Sequence, residues 1–148
     1  MSKSREFAKC VVLGLFFTTL GFYLSSGQEG RAKESESTRV FELRTYTTNP
    51  GKLPALHARF RDHTMKLFER HGMKNVAYWT PDDEELSKNT LVYVVSHASR
   101  DAAAKSWKAF VDDPEWKAAY KASIEDGKLV KKIDRMYLDP TDFSPIQR

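Results

Sequence analysis

The stretch that decides the fold spans residues 39–79 and has the sequence RVFELRTYTTNPGKLPALHARFRDHTMKLFERHGMKNVAYW. Its residue pattern predicts a strand over residues 39–48, a helix over residues 53–71 and a second strand over residues 73–80. An Asn-Pro-Gly turn separates the first strand from the helix, and Gly72 is placed to end that helix. The stretch is therefore a β-α-β unit.

The first strand carries two different sets of side chains. Alternation along the strand predicts that one face holds Phe41, Leu43 and Thr45 and the other holds Glu42, Arg44 and Tyr46. We expect the first, largely apolar set to pack against helices and the polar set to face water or a second sheet. If the polar set is enclosed, its charges must be paired with each other or used in a site.

The rest of the chain adds two more strands and a second helical region. Ser99 is typical of a helix N-cap, and Pro114 both ends one helix and suits the first turn of another. The predicted elements are a strand over residues 90–97, helices over residues 100–111 and 115–125, and a strand over residues 128–138.

This order of elements predicts an α+β fold of the ferredoxin-like type, βαββαβ, in which the second helix is split. Both helical regions would cover one side of a four-stranded antiparallel sheet, and the other side would be uncovered in a monomer. A large exposed apolar face usually marks an interface or a ligand groove. Two copies joined through these faces would form a dimeric α/β barrel, so we expect a homodimer.

The N-terminus has the layout of a secretory signal peptide. Lys3, Arg5 and Lys9 precede an uncharged apolar run over residues 10–24, and small residues follow it. We predict a signal peptide over residues 1–27, a flexible linker over residues 28–38, and a periplasmic or secreted protein. The alternative is an uncleaved membrane anchor formed by residues 10–24, although this run is short for a spanning helix.

Composition and motifs exclude several functional classes. The formal net charge is +4, and it would fall further on cleavage because three basic residues leave with one acidic residue, so nucleic acid is not an expected partner. The four histidines lack the spacing of helical metal ligands, and no phosphate loop or dinucleotide glycine pattern occurs. We therefore predict no metal and no cofactor.

Several motifs, in this order, are similar to those of a known family. They are ELRTYT, PGKL, ERHGM, SHASRDAAAKSWKAFVDDPEW and DFSPI. Together they resemble the NIPSNAP family of dimeric α/β-barrel domains, over about residues 40–146. The resemblance implies a NIPSNAP-like domain over residues 39–148 that is similar in fold to small cofactor-free monooxygenases. It implies no particular reaction, because the family has no generally established catalytic residues.

The polar face of the first strand is the predicted ligand site. Glu42, Arg44 and Tyr46 would anchor a ligand carboxylate or phenol, because an arginine guanidinium suits bidentate binding of anions. The alternative is a self-satisfied ion pair beside a tyrosine that packs at the dimer interface. His63 lies on the predicted apolar stripe of the first helix and His97 ends the third strand, so these two histidines are the candidate catalytic bases.

Three functional hypotheses follow from this sequence. The first is an exported homodimer that binds a small, partly apolar molecule in a barrel cavity without a defined reaction. The second is a cofactor-independent monooxygenase or isomerase that uses the same cavity. The third is a protein-interaction module in which the open sheet face serves only for assembly.

Overall fold

The structure is a computed structural model, and it describes residues 39–147. The predicted signal peptide over residues 1–27 and the predicted linker over residues 28–38 lie outside the described residues. Within residues 39–147, none of the helices combines the length and the apolar character needed to cross a bilayer.

The core of the fold is a four-stranded sheet. Its strands are β1 (Val40–Thr48), β2 (Lys74–Trp79), β3 (Thr90–His97) and β4 (Val130–Leu138). Their order across the sheet is β2-β3-β1-β4, and every neighbouring pair is antiparallel. This order, with the helices inserted after β1 and β3, confirms the predicted ferredoxin-like α+β fold.

The helices occupy one side of this sheet. They are α1 (Leu53–Arg59), a π-helical turn (Phe60–Thr64), α2 (Met65–Arg70), α3 (Arg100–Asp112) and α4 (Pro114–Ser123). As predicted, Ser99 caps α3 by accepting a hydrogen bond of 3.1 Å from the Ala102 N–H. Gly72, with a φ of 77°, follows α2 in the left-handed conformation that favours glycine.

The first helical region departs from the predicted regular helix at its π-helical turn. The Met65 N–H bonds the Phe60 carbonyl, five residues back, which widens the turn. In a wider turn, the residue four positions after Phe60, rather than the residue three positions after it, returns to the side of the helix on which Phe60 lies. Thr64 is therefore buried beside Phe60, whereas His63 is exposed. The prediction that His63 belongs to the apolar stripe was wrong.

The two faces of β1 are the reverse of the prediction, because the polar set lies beneath the helices. Trp107 of α3 donates a hydrogen bond to Glu42, and the Tyr46 ring makes an edge contact with Phe60 in the helical layer. Glu42 is fully buried, with none of its surface exposed. The polar side chains can lie inside because donors from the helices and from β3 satisfy them.

The set that was predicted to pack against helices lies on the open face of the sheet. Leu43 pairs across the sheet with Val94 and with Met136, whose surface is 54% exposed. Phe41 is buried and shares a groove with Ile146 of the C-terminal tail. The uncovered apolar face is therefore formed by these residues.

Aromatic rings fill the space between the sheet and the helices. Phe68 makes edge-to-face contacts with Phe60, Trp107 and Phe110, at centroid distances of 6.1, 5.2 and 4.9 Å. Tyr93 of β3 contacts Phe60 at 5.2 Å. Such pairs add directional stabilisation to the burial of large apolar groups, so this layer holds α3 and the helices before it in place.

Candidate functional site

A buried polar network is centred on Glu42. One carboxylate oxygen, Oε1, accepts a hydrogen bond of 2.8 Å from Nε of Arg44. The other, Oε2, accepts a bond of 2.6 Å from the indole N–H of Trp107 and lies 3.0 Å from Nε2 of His97. The strands β1 and β3 and the helix α3 thus each contribute one donor to this carboxylate. For His97 to donate, its ring must carry a proton on Nε2.

Arg44 extends this network toward two tyrosines. Its guanidinium carbon lies 3.5 Å from the ring centroid of Trp107, a cation–π geometry. Its Nη1 donates to the hydroxyl oxygen of Tyr46 at 3.4 Å, and the Tyr93 hydroxyl donates to the same oxygen at 3.1 Å. Arg44 is therefore held on three sides by a carboxylate, a ring and a hydroxyl.

The electrostatics of the network favour an ionised Glu42. Burial alone would raise the pKa of this carboxyl, but the hydrogen bonds from His97 and Trp107 and the charge of Arg44 outweigh burial and lower its pKa to about 2. Burial raises the pKa of Tyr93 well above its usual value. The network therefore holds an ionised carboxylate beside the guanidinium of Arg44.

The structure thus brings Glu42, Arg44, Tyr46 and His97 of the predicted site together, and leaves His63 exposed on the helix surface. The geometry matches the ion-pair alternative, except that Tyr46 packs under the helices instead of on the open face. A ligand-binding role for Glu42 and Arg44 stays a prediction.

Next to the network is a cavity of about 360 Å³ between the helices and the β1–β4 side of the sheet. Its lining is mainly aromatic and cationic, and comprises Tyr46, Arg59, Phe60, Thr64, Phe68, Phe110, Trp116, Tyr120, Lys128, Val130, Lys131, Lys132 and Ile133. Tyr120 and Ile133 are 39% and 48% exposed, so apolar surface is accessible here. Tyr46 belongs to both the network and the cavity.

The sequence predictions missed Arg59, the charged residue most deeply set in this cavity. It is only 5% exposed. Its Nη1 donates to Ser123 Oγ at 3.1 Å, and its guanidinium carbon lies 5.3 Å from the ring centroids of both Trp116 and Tyr120. A signal did exist, because Arg59 follows the buried Leu56 by three residues and so falls on the apolar side of the helix.

The candidate bases do not lie at this cavity. His97 is buried in the network around Glu42, and among the described residues that line the cavity there is no histidine and no carboxylate. The part of the chain that the structure describes also has no group of three His, Cys, Asp or Glu side chains that could hold a metal ion. The chemical character of the cavity is therefore aromatic and cationic.

Comparison with known proteins places this arrangement in a family. The NIPSNAP family model matches residues 41–145, which is more than half of the chain. The chain belongs to the NIPSNAP family. This confirms the resemblance carried by the motifs from ELRTYT to DFSPI. None of the curated proteins matches the chain in sequence.

Solved structures of NIPSNAP proteins have the same fold. A NIPSNAP-like domain protein from Burkholderia xenovorans is 18% identical, with a TM-score of 0.65, and the match covers 76% of this chain and 94% of that one. Two NIPSNAP family proteins from Agrobacterium tumefaciens are 24% and 23% identical, with TM-scores of 0.63 and 0.64. Each match covers 74% of this chain, and 94% and 99% of theirs.

Proposed function

We propose that this NIPSNAP domain binds a small, partly apolar molecule in the cavity between its helices and β4. The observation that carries the proposal is the lining, in which the accessible Tyr120 and Ile133 lie beside the buried Arg59 and the half-buried Trp116. Ligand sites are typically concave, of roughly 300–1,000 Å³, and lined by apolar and aromatic groups with a few polar anchors. The cavity of about 360 Å³ fits this description.

Native mass spectrometry of the purified protein tests the proposal. We expect a retained small molecule on the native protein and its loss from Val130→Trp, because Val130 lines the cavity and an indole would fill it. Val111→Trp is the matched control, since Val111 is 52% exposed on α3 and is not among the residues lining the cavity. Equal retention by the Val130→Trp variant would contradict a ligand site in this cavity.

The alternative function is a cofactor-independent monooxygenase or isomerase that acts in the same cavity. Such a reaction needs a group that removes a proton from the substrate, within hydrogen-bonding reach. His63 is exposed on the helix surface, and His97 is occupied with Glu42 away from the lining. These positions support binding over catalysis.

We further propose that the protein forms a homodimer through the open face of its sheet. Trp79, Met136 and Leu138 lie on this face and are 54%, 54% and 38% exposed. A contiguous apolar face of this kind is unfavourable in water and usually serves as an interface. Two such faces packed together would form a dimeric α/β barrel, as the family resemblance implies.

Met136→Lys should convert the protein to a monomer at micromolar concentration. The reason is that burying a lysine between two sheets leaves an unpaired charge in an apolar layer. Sedimentation velocity measures the outcome, and Val111→Lys, at an exposed position on α3, is the control that should leave the dimer intact. A wild-type protein that sediments as a monomer would rule out the dimer.

A further inference from the structure

Two buried arginines in this domain have opposite surroundings. Arg44 is paired with Glu42 at 2.8 Å. Arg59, at 5% exposure, forms no salt bridge to any carboxylate within residues 39–147, and its buried Nε has no acceptor there. An arginine stays charged in proteins, and a buried charge is costly unless it is paired. The unpaired Arg59 therefore points to a missing anion.

The surroundings of Arg59 favour an anion over a cation. Lys128, Lys131 and Lys132 line the same cavity, and none of its described lining residues carries a negative charge. Clefts lined by one sign of charge raise the local concentration of ligands of the opposite sign. Every charged side chain in the described lining would repel a cationic ligand.

Local backbone geometry fixes the position of Arg59. The residue ends α1, and the π-helical turn Phe60–Thr64 begins directly after it. The Thr64 hydroxyl donates to the Arg59 carbonyl at 3.2 Å, which satisfies an acceptor at the widened turn. Such π-helical turns occur frequently at functional sites, and Arg59, directly before this one, lies 5.3 Å from the ring centroids of both Trp116 and Tyr120.

We infer that the ligand is a carboxylate with a flat apolar body, and that Arg59 binds the carboxylate group. This inference rests on the proposed ligand-binding function of the cavity. A guanidinium matches a carboxylate through two parallel hydrogen bonds, and the neighbouring Trp116 and Tyr120 rings suit a flat apolar body. The anion anchor is thus Arg59, rather than the Arg44 expected from the sequence.

Calorimetric titration with 2-naphthoate and its neutral analogue 2-naphthamide tests the inference on the full chain. Native protein should bind 2-naphthoate more tightly than the amide. In Arg59→Met the affinity for 2-naphthoate should fall about 10- to 100-fold, as expected for the loss of a charge-assisted hydrogen bond. The melting temperature of the empty variant should equal or exceed that of the native protein, because a buried unpaired charge is removed.

Arg61→Met is the matched control, because Arg61 is exposed two residues after Arg59 and its loss changes the net charge equally. This control should keep the preference for 2-naphthoate, and Arg59→Lys should keep part of it. Equal binding of both probes to the native protein, or a preference that survives in Arg59→Met, would overturn the assignment of Arg59 while leaving a binding cavity. Failure of both probes to bind the native protein would instead overturn the proposed function itself.

Discussion

Replacing Arg44 with alanine is expected to lower the free energy of unfolding by about 3–5 kcal/mol, because removal of one partner leaves the other as an uncompensated buried charge. Glu42, which is fully buried, would lose its Arg44 hydrogen bond of 2.8 Å and its neighbouring positive charge. Trp107 would also lose the guanidinium that stacks on its ring at 3.5 Å. Urea denaturation at neutral pH measures the loss.

The double variant Glu42→Gln/Arg44→Met is the control for this effect. It removes both charges together and keeps side chains of similar size, so most of the lost stability should return. The amide of the introduced glutamine can still accept a hydrogen bond from Trp107. A double variant that is less stable than Arg44→Ala would show that the contribution of these residues is not an ion pair.

The stability of the domain should also fall in acid, and Glu42 should account for about 3 kcal/mol of that fall. The pKa of this carboxyl is lowered from its usual 4.5 to about 2 in the folded protein. A group whose pKa is lower in the folded state stabilises the fold above its unfolded pKa. That contribution is lost as the pH falls through the folded pKa. The expected window therefore runs from about pH 4.5 down to about pH 2.

Comparison with Glu42→Gln isolates this contribution, because the carboxyls of Asp112, Asp113 and Glu115 also have lowered pKa values and titrate in both proteins. The difference in free energy of unfolding between the two proteins should be largest near pH 5 and should shrink toward pH 2. A difference that stays constant over this range would contradict an ionised, hydrogen-bonded Glu42.

The element order was predictable because local signals agreed with one another along the whole domain. The Asn-Pro-Gly turn, the helix-ending Gly72 and the N-cap Ser99 each act within a few residues, and the structure has all three at the expected boundaries. With the order βαββαβ established, the number of compatible sheet topologies is small. The fold was therefore accessible without knowledge of distant contacts.

The orientation of β1 was not predictable, because it depends on a partner far away in the chain. Alternation shows that Glu42 and Leu43 point to opposite faces, but it does not show which face the helices cover. Trp107, 65 residues after Glu42, decides the matter by donating to its carboxylate. Polarity suggested the reverse, since a charged strand face usually lies toward solvent.

The exposure of His63 was hidden for a different reason. A regular helical period places His63 on the apolar stripe, whereas the π-helical turn puts Thr64 there. Helical spacing alone does not reveal an inserted turn of this type.

Arg59 did carry a signal in the sequence, because it follows the buried Leu56 by three residues. That Arg59 forms no salt bridge among residues 39–147 is visible only in the folded domain.

A chemical-shift map of the protein titrated with 2-naphthoate locates the ligand site residue by residue. We expect the largest shifts at residues around the cavity, namely Arg59, Trp116, Tyr120 and Ile133, and only small shifts at Glu42 and His97. Shifts centred on Glu42 and His97, or spread over the open sheet face around Met136, would contradict the assignment of the cavity as the ligand site.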